Sequence, residues 1–433
     1  MAVMKTRQAL AATALLFFYS LTVNLLSLPP APNLNQDGDT PTYMGWYGQI
    51  KEGIVPHLGH RTPTYPLVIA ATEIFTSPAH VIYLQALLGA VAAAVFFAWF
   101  LLPSVGSLPG ALLLAAFCVS DYGVTSWHGM VLTESLSSSL VLLWMTAAYS
   151  LRHRLAFALE VALLFLRPSF LLFAAIRGRR SFLALMALVM AYMGLNYAQN
   201  GRFELSDVGP MGRLGNLMRV ALTDPQTCRQ TPCGEITREA LKIYAKNHYE
   251  DDAWIFRWRL MRAFPGRPWH PMMDELVQDL TPGHRLALLK MGFGRFSGLF
   301  NNWWIYQREG RVLKIFPGFW DLASRYQDLV QKLGKLALLW AAALTIVSLW
   351  RRKGTPWHRA LPLYAWMYIA LISIMGTYDE WFRMLTPVRM LLHLMIGQMV
   401  MDVLKTLSLA SGLLRGSGPR PMQRARQTPA STR

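Results

Sequence analysis

Apolar runs long enough to cross about 30 Å of hydrocarbon as helices recur along the chain. They fall near 8–28, 81–102, 108–127, 131–150, 181–198, 333–350, 359–376 and 385–404. The short alternating segments that a β-barrel needs are absent. The pattern predicts an all-α polytopic membrane protein with about eight full transmembrane helices. Lys5 and Arg7 precede the first run and no small-residue cleavage motif closes it, so an uncleaved anchor is expected.

A ninth apolar stretch, 155–176, behaves differently. Arg152 and Arg154 precede it, Arg177, Arg179 and Arg180 follow it, and Arg167-Pro168 interrupts its middle, where proline disfavours an unbroken helix. As a single span it would leave one basic cluster on the outer side. As a re-entrant pair of short helices it puts every short basic loop in the cytoplasm, which is the preferred reading. On that topology the 29–80 loop, the 128–134 turn, the 199–332 segment and Tyr378–Arg383 share the outer side, with Arg167 at the hairpin apex.

Four parts are thus expected: an N-terminal transmembrane module, 1–198, with its first outer loop at 29–80; an extracytoplasmic segment, 199–332; C-terminal transmembrane helices, 333–404; and a basic, disordered cytoplasmic tail, 405–433. The 199–332 segment carries nearly balanced charge and includes Trp254, Trp258, Trp303 and Trp304. Amphipathic helices lying on the bilayer are expected there, since Trp favours the interface.

Composition agrees with the membrane class: 53% of the 433 residues are hydrophobic, 15% are charged, and the mean hydropathy is +0.28. The net charge of +18 comes mainly from Lys and Arg beside apolar runs, and no nucleic-acid-binding motif accompanies it, so nucleic acid is not an expected partner. Cys118 lies in an apolar span and reads as a packing residue. Cys228 and Cys233 share a short polar stretch on the expected outer side, where a local disulfide is the natural reading.

The polar island between the first two spans carries the chemistry. It reads D-G-D-T-P-T-Y from Asp37 to Tyr43 and H-R-T-P-T-Y-P from His60 to Pro66. An acidic pair followed by a basic, Pro- and Tyr-rich loop at a bilayer surface suggests a base beside a phosphate-binding group. There is no Walker sequence, no Gly-rich dinucleotide fingerprint and no G-x-S-x-G elbow.

Taken in order, D-x-x-x-Y at Asp39, R-x-P-x-Y-P-L ending at Leu67, L-T-E-S-L at Leu132–Leu136, L-R-P-S at Leu166–Ser169 and R-x-x-x-P at Arg383–Pro387 resemble the GT-C integral-membrane glycosyltransferases. The likeness is to the branch of protein O-mannosyltransferases and lipid A aminoarabinose transferases. It covers the first two hundred residues, reaches the last spans loosely and hardly touches 199–332. It implies a polyprenyl-phosphate sugar donor, a lipid, glycan or protein acceptor, and inversion at the anomeric carbon. The implied setting is a bacterial inner (plasma) membrane with the active site on the periplasmic, outer side.

On that resemblance Asp39 is the base and Arg61 meets the donor phosphate, with Arg167 and Arg383 as further phosphate contacts. Glu134 is a second cavity acid, and Asp37, Tyr43, Tyr65 and His60 line or shape the cavity. Each has a plainer alternative. Asp39 before Thr-Pro is a good helix cap. Asp37 is a turn former, and Glu134 is an acid favoured at a helix N-terminus. Arg61 suits a lipid headgroup, and Arg383 has Asp379 and Glu380 nearby. Asp121, His128 and His57 are weaker candidates. Glu134, Asp37 and the histidines permit a divalent metal without requiring one. Two rival functions stay open: a transporter or flippase of lipid-linked sugars, which should show internal symmetry, and a glycan ligase using a polyprenyl-diphosphate donor.

Overall fold

A computed structural model describes residues 6–30, 40–54, 61–130, 132–205, 208–224, 227–228, 233–247, 253–298, 311–351, 366, 368–369 and 381–416. Among them every regular element is helical. Three helices are long and apolar enough to cross a bilayer, and a fourth qualifies if one bent pair counts as a single span.

The first is α1 (Thr6–Ser27). The first loop then folds two short helices, α2 (Thr40–Lys51) and α3 (Thr64–Glu73), which pack on each other. Helix α4 (Val81–Phe96) continues through a π-helical turn at Phe97–Leu101 into α5 (Leu102–Val105), and Pro78–Val105 is the second stretch long and apolar enough to cross. Gly106 ends it in the left-handed conformation (φ 73°), which a glycine adopts without a Cβ clash. Ser107 then caps α6 (Leu108–Val119) by accepting from the Gly110 N–H, with Pro109 in the first turn where no hydrogen bond is lost.

The third expected run, 108–127, is not one straight helix. Ser120 ends α6, and Asp121 takes an extended conformation and caps α7 (Tyr122–Thr125), which leads into a 3-10 turn at Ser126–Gly129; the two halves meet at 50°. The physical reason is the aspartate, whose side chain offers the Gly123 N–H a better acceptor than a continued helix does.

Helix α8 (Thr133–Tyr149) is the centre of the bundle. None of its side chains is exposed, and α4 and the later helices wall it in. A helix with no lipid-facing side need not be apolar all round, and α8 carries Ser135, Ser137, Ser138, Ser139 and Thr146. Ser137, Ser138, Ser139 and Thr146 donate back to carbonyls one turn earlier, at 2.6–3.1 Å, so no hydroxyl donor among them is stranded in the core.

The 155–176 stretch is two short helices, α9 (His153–Leu164) and α10 (Leu171–Arg177), broken at Arg167-Pro168. Arg177, the last residue of α10, donates through Nη1 to the carbonyl of His153, the first of α9 (2.7 Å), so the pair doubles back on itself. At this closed end Glu160, with no exposed surface, accepts from Trp144 Nε1 (2.9 Å) and Ser181 Oγ (3.1 Å). Arg177 Nε lies 2.8 Å from Glu160 Oε1 at an angle too poor for a hydrogen bond, which makes that contact ionic.

Helix α11 (Arg179–Asn200) is the third helix long and apolar enough to cross, ended by left-handed Gly201. Four helices follow, α12 (Val208–Thr223), α13 (Glu235–Asn247), α14 (Ala253–Ala263) and α15 (Trp269–Gly298). They bury a core of their own around Leu217, Tyr244, Phe256, Met273 and Leu276. Cys228 and Cys233 form a disulfide in the α12–α13 connection. Of the tryptophans expected at an interface, Trp258 is 66% exposed, while Trp303, Trp304 and the Trp254 side chain lie outside the described residues.

A short α16 (Arg311–Ile315) touches α1 and leads into α17 (Phe319–Arg351), which packs along the final α18 (Trp381–Gly416). The expected spans 333–350 and 385–404 lie inside these longer helices. Helix α17 thus begins before the 332/333 boundary, and α18 runs past residue 405 to Gly416. Of the expected span 359–376 only Trp366, Tyr368 and Ile369 are described.

Removing one partner of a buried ion pair typically costs about 3–5 kcal/mol. Arg177→Ala should therefore lower the unfolding midpoint of purified protein in detergent clearly, and Glu160→Leu with Arg177→Met should recover most of the loss. An unchanged midpoint in the single variant would show that the clasp is not under load.

Candidate functional site

The N-terminus of α8 and the turn between α9 and α10 meet through charge. Glu134 has no exposed surface, and Arg167 Nη2 pairs with its Oε1, while Arg167 Nε donates to Thr133 Oγ1 (2.9 Å). The Tyr368 hydroxyl also bonds to Arg167 and to Ser169. Arg167, expected as a phosphate contact, and Glu134, expected as a cavity acid, thus neutralise each other.

The first loop seats itself on the same turn. Thr64 N–H donates to the Phe165 carbonyl (3.3 Å), Thr64 Oγ1 to Ala162 (3.2 Å) and Thr62 Oγ1 to Leu166 (3.4 Å). These bonds fix the start of α3 against the hairpin and hold Arg61 near Arg167. Arg61 is 7% exposed; its Nε donates to Thr42 Oγ1 (2.8 Å) and its guanidinium lies 4.8 Å from the centre of the Tyr43 ring. That contact is a cation–π interaction on the helix that immediately follows Asp39.

Tyr43 meets Tyr65 edge to face at 5.0 Å. The buried Tyr65 hydroxyl donates to Gln85 Oε1 (2.8 Å), and Gln85 Nε2 donates to the carbonyls of His128 (3.1 Å) and Met130 (2.8 Å). Tyr65 therefore bridges the first loop to α4 and to the turn that leads into Glu134. At the outer edge of α2 and α3, Lys51 Nζ donates to Glu73 Oε1 (2.8 Å), and this bond, with one from Tyr47, holds the Glu73 carboxyl below its usual range.

Arg61, Arg167, Glu134, Tyr43 and Tyr65 thus meet at one end of the bundle. Asp37, Asp39, His57 and His60 lie outside the described residues, as does the side chain of Arg383, which belongs to α18. Cys228 and Cys233 belong to the separate α12–α15 core region. No three metal-ligating side chains gather among the described residues.

Asp121 sits apart from this corner, whereas His128 adjoins it through its carbonyl on Gln85. Asp121 has no exposed surface and accepts from the Gly123 N–H (2.8 Å), Gln327 Nε2 (2.5 Å), Arg389 Nη2 (3.1 Å) and Arg389 Nε (3.1 Å), with His393 Nε2 3.4 Å away. With both oxygens occupied it ties α7, α17 and α18 together. His128 bonds through Nδ1 to Ser135 Oγ (2.5 Å) and lines a cavity of about 20 Å³ with Ser20, Asn24, Ser138 and Ser139. That is room for one water, not for a sugar.

Several of these partners were not anticipated. Gln85 was findable as a lone amide within an apolar run. Arg389 and His393 were findable as ionisable residues one turn apart in a span, where burial alone makes them candidates. Tyr368 gave no such signal.

No protein-family model matches the chain, and no characterised protein or solved structure matches it either. The chemistry of the corner is what remains to judge by: two cations, a paired carboxylate and two phenols at the end of apolar helices.

A Cβ on Gly123 would stand 2.5 Å or less from three atoms of the Arg389 guanidinium, and Asp121 leaves that group no room to retreat. Gly123→Ala should destabilise the protein by about 1–3 kcal/mol, as overpacking does, measurable as a lower midpoint in detergent. Tyr65→Phe should cost about 1 kcal/mol by stranding Gln85.

Proposed function

We propose that this chain is an inverting GT-C-type glycosyltransferase that moves a sugar from a polyprenyl-phosphate donor to an acceptor hydroxyl at the outer face of the membrane. The observation that carries the reading is the meeting of Arg61 and Arg167 with Tyr43, Tyr65 and Glu134 where the first loop seats on the α9–α10 turn.

In the proposed reaction the acceptor oxygen attacks the anomeric carbon, and its proton passes to the Asp39 carboxylate. The bond from that carbon to the phosphate oxygen breaks, and polyprenyl phosphate leaves with the electron pair. Arg61 meets the developing charge, since a guanidinium offers a phosphate parallel hydrogen bonds. Glu134 holds Arg167 in place beside it.

The eight-span, re-entrant architecture belongs to the same proposal. Arg152, Arg177 and Arg179 cluster at the closed end of the α9–α10 pair, and Glu134 with Arg167 lies at the opposite end of α8 and α9. Basic residues at one end and the candidate site at the other fit a cytoplasmic and an outer side.

Removal of a general base typically costs 10²–10⁴-fold, about 3–5 kcal/mol. Transfer of radiolabelled sugar from a panel of polyprenyl-phosphate donors in membranes should fall by that much in Asp39→Asn, with membrane insertion unchanged. Equal transfer by wild type and Asp39→Asn would remove Asp39 from the mechanism. Absence of transfer by wild type from every donor would favour a transporter.

A further inference from the structure

Arg311 opens α16, where the chain comes back from the α12–α15 core to α1. Its N–H donates to the Leu28 carbonyl (2.9 Å), and Nη2 reaches the Pro30 carbonyl (3.4 Å) and the Tyr83 hydroxyl (3.2 Å). Leu28 and Pro30 lie where the chain leaves α1, and Tyr83 lies in the first turn of α4. His80 packs edge-on against the same Tyr83 ring, with centroids 5.6 Å apart.

Arg311 is half-buried, and no carboxylate meets it among the described residues. By contrast, Arg167 pairs with Glu134, Arg177 with Glu160, Arg202 with Glu204 and Asp274, and Arg389 with Asp121. A guanidinium that is only partly hydrated favours an anion that can accept its remaining hydrogen bonds. Among the described residues the Arg311 side chain meets two neutral oxygens, and the Tyr83 hydroxyl can turn its hydrogen toward an incoming anion. The place also matters: α1 and the helix through α4 and α5 are long and apolar enough to span, and lipid phosphates lie at the ends of such helices.

We propose that Arg311, assisted by Tyr83, binds the phosphate group of a lipid at the end of α1 and α4. The phosphate belongs either to a prenyl phosphate or to a phospholipid headgroup. The inference does not depend on sugar transfer.

The test is binding by the purified full-length protein in a neutral detergent. The probes are farnesyl phosphate, farnesol and a short-chain phosphatidylglycerol, compared for wild type, Arg311→Ala and Arg311→Lys. A charge-assisted contact of this kind is worth about tenfold or more in affinity. Arg311→Ala should lose about that for a phosphate probe, Arg311→Lys should fall between, and farnesol should bind all three alike. A loss confined to farnesyl phosphate assigns the site to prenyl phosphate, and an equal loss for phosphatidylglycerol assigns it to headgroups. Phosphate binding unchanged in Arg311→Ala, or a wild type that does not prefer either phosphate probe to farnesol, overturns the proposal. Should Arg311→Ala fail to fold, Arg311→Gln and Tyr83→Phe take its place, and unchanged binding in both counts equally against it. Asp39→Asn should bind the phosphate as wild type does, so failure of transfer and failure of this site are separate results.

Discussion

An ionised carboxylate with no exposed surface has to be neutralised where it stands, and the Glu134 carboxylate at the head of α8 is neutralised by Arg167. The pair joins the central helix of the bundle to the turn between α9 and α10. Neither group is comfortable alone in a low-dielectric interior. The turn is therefore held at one height along α8, and what rests on the turn inherits that height.

What rests on it is the first loop. Thr62 and Thr64 bond to the carbonyls of the same turn, and Tyr65 reaches across to Gln85 on α4. Arg61 and Tyr43 are thereby delivered to a corner that neither α2 nor α3 could define alone. The closed end of the α9–α10 pair is fixed by the second buried acid, Glu160, with Arg177 and Trp144. Ion pairs at both ends explain how two helices of 12 and 7 residues keep a defined place in the bundle.

Much of the fold could be read from the chain. The apolar runs marked helices, of which three, or four with the bent pair, are long and apolar enough to cross among the described residues, and Arg167-Pro168 with its flanking arginines marked the doubled-back pair. The two cysteines in their short polar stretch marked the disulfide. Hydropathy did not show that Asp121 breaks the 108–127 run, because one aspartate barely lowers the average of a long window while its side chain redirects the backbone. Nor did it show that α8 is enclosed, since enclosure is a property of neighbours. At the site, Glu134 and Arg167 stood out in the sequence as charges, but their pairing was not legible. Glu134 and Arg167 are 33 positions apart, and only the fold brings them together. Asp121 needed Arg389, 268 positions away, to be recognised as a tie and not a cavity group.

The most direct test of this account is a double-mutant cycle on Glu134 and Arg167, read as unfolding free energy of the purified protein in detergent. Glu134→Gln and Arg167→Gln should each cost about 3–5 kcal/mol, and the double variant no more than either single change. Costs that add to within about 0.5 kcal/mol would mean that the two groups act independently, and the α9–α10 turn would then be held by something other than this pair.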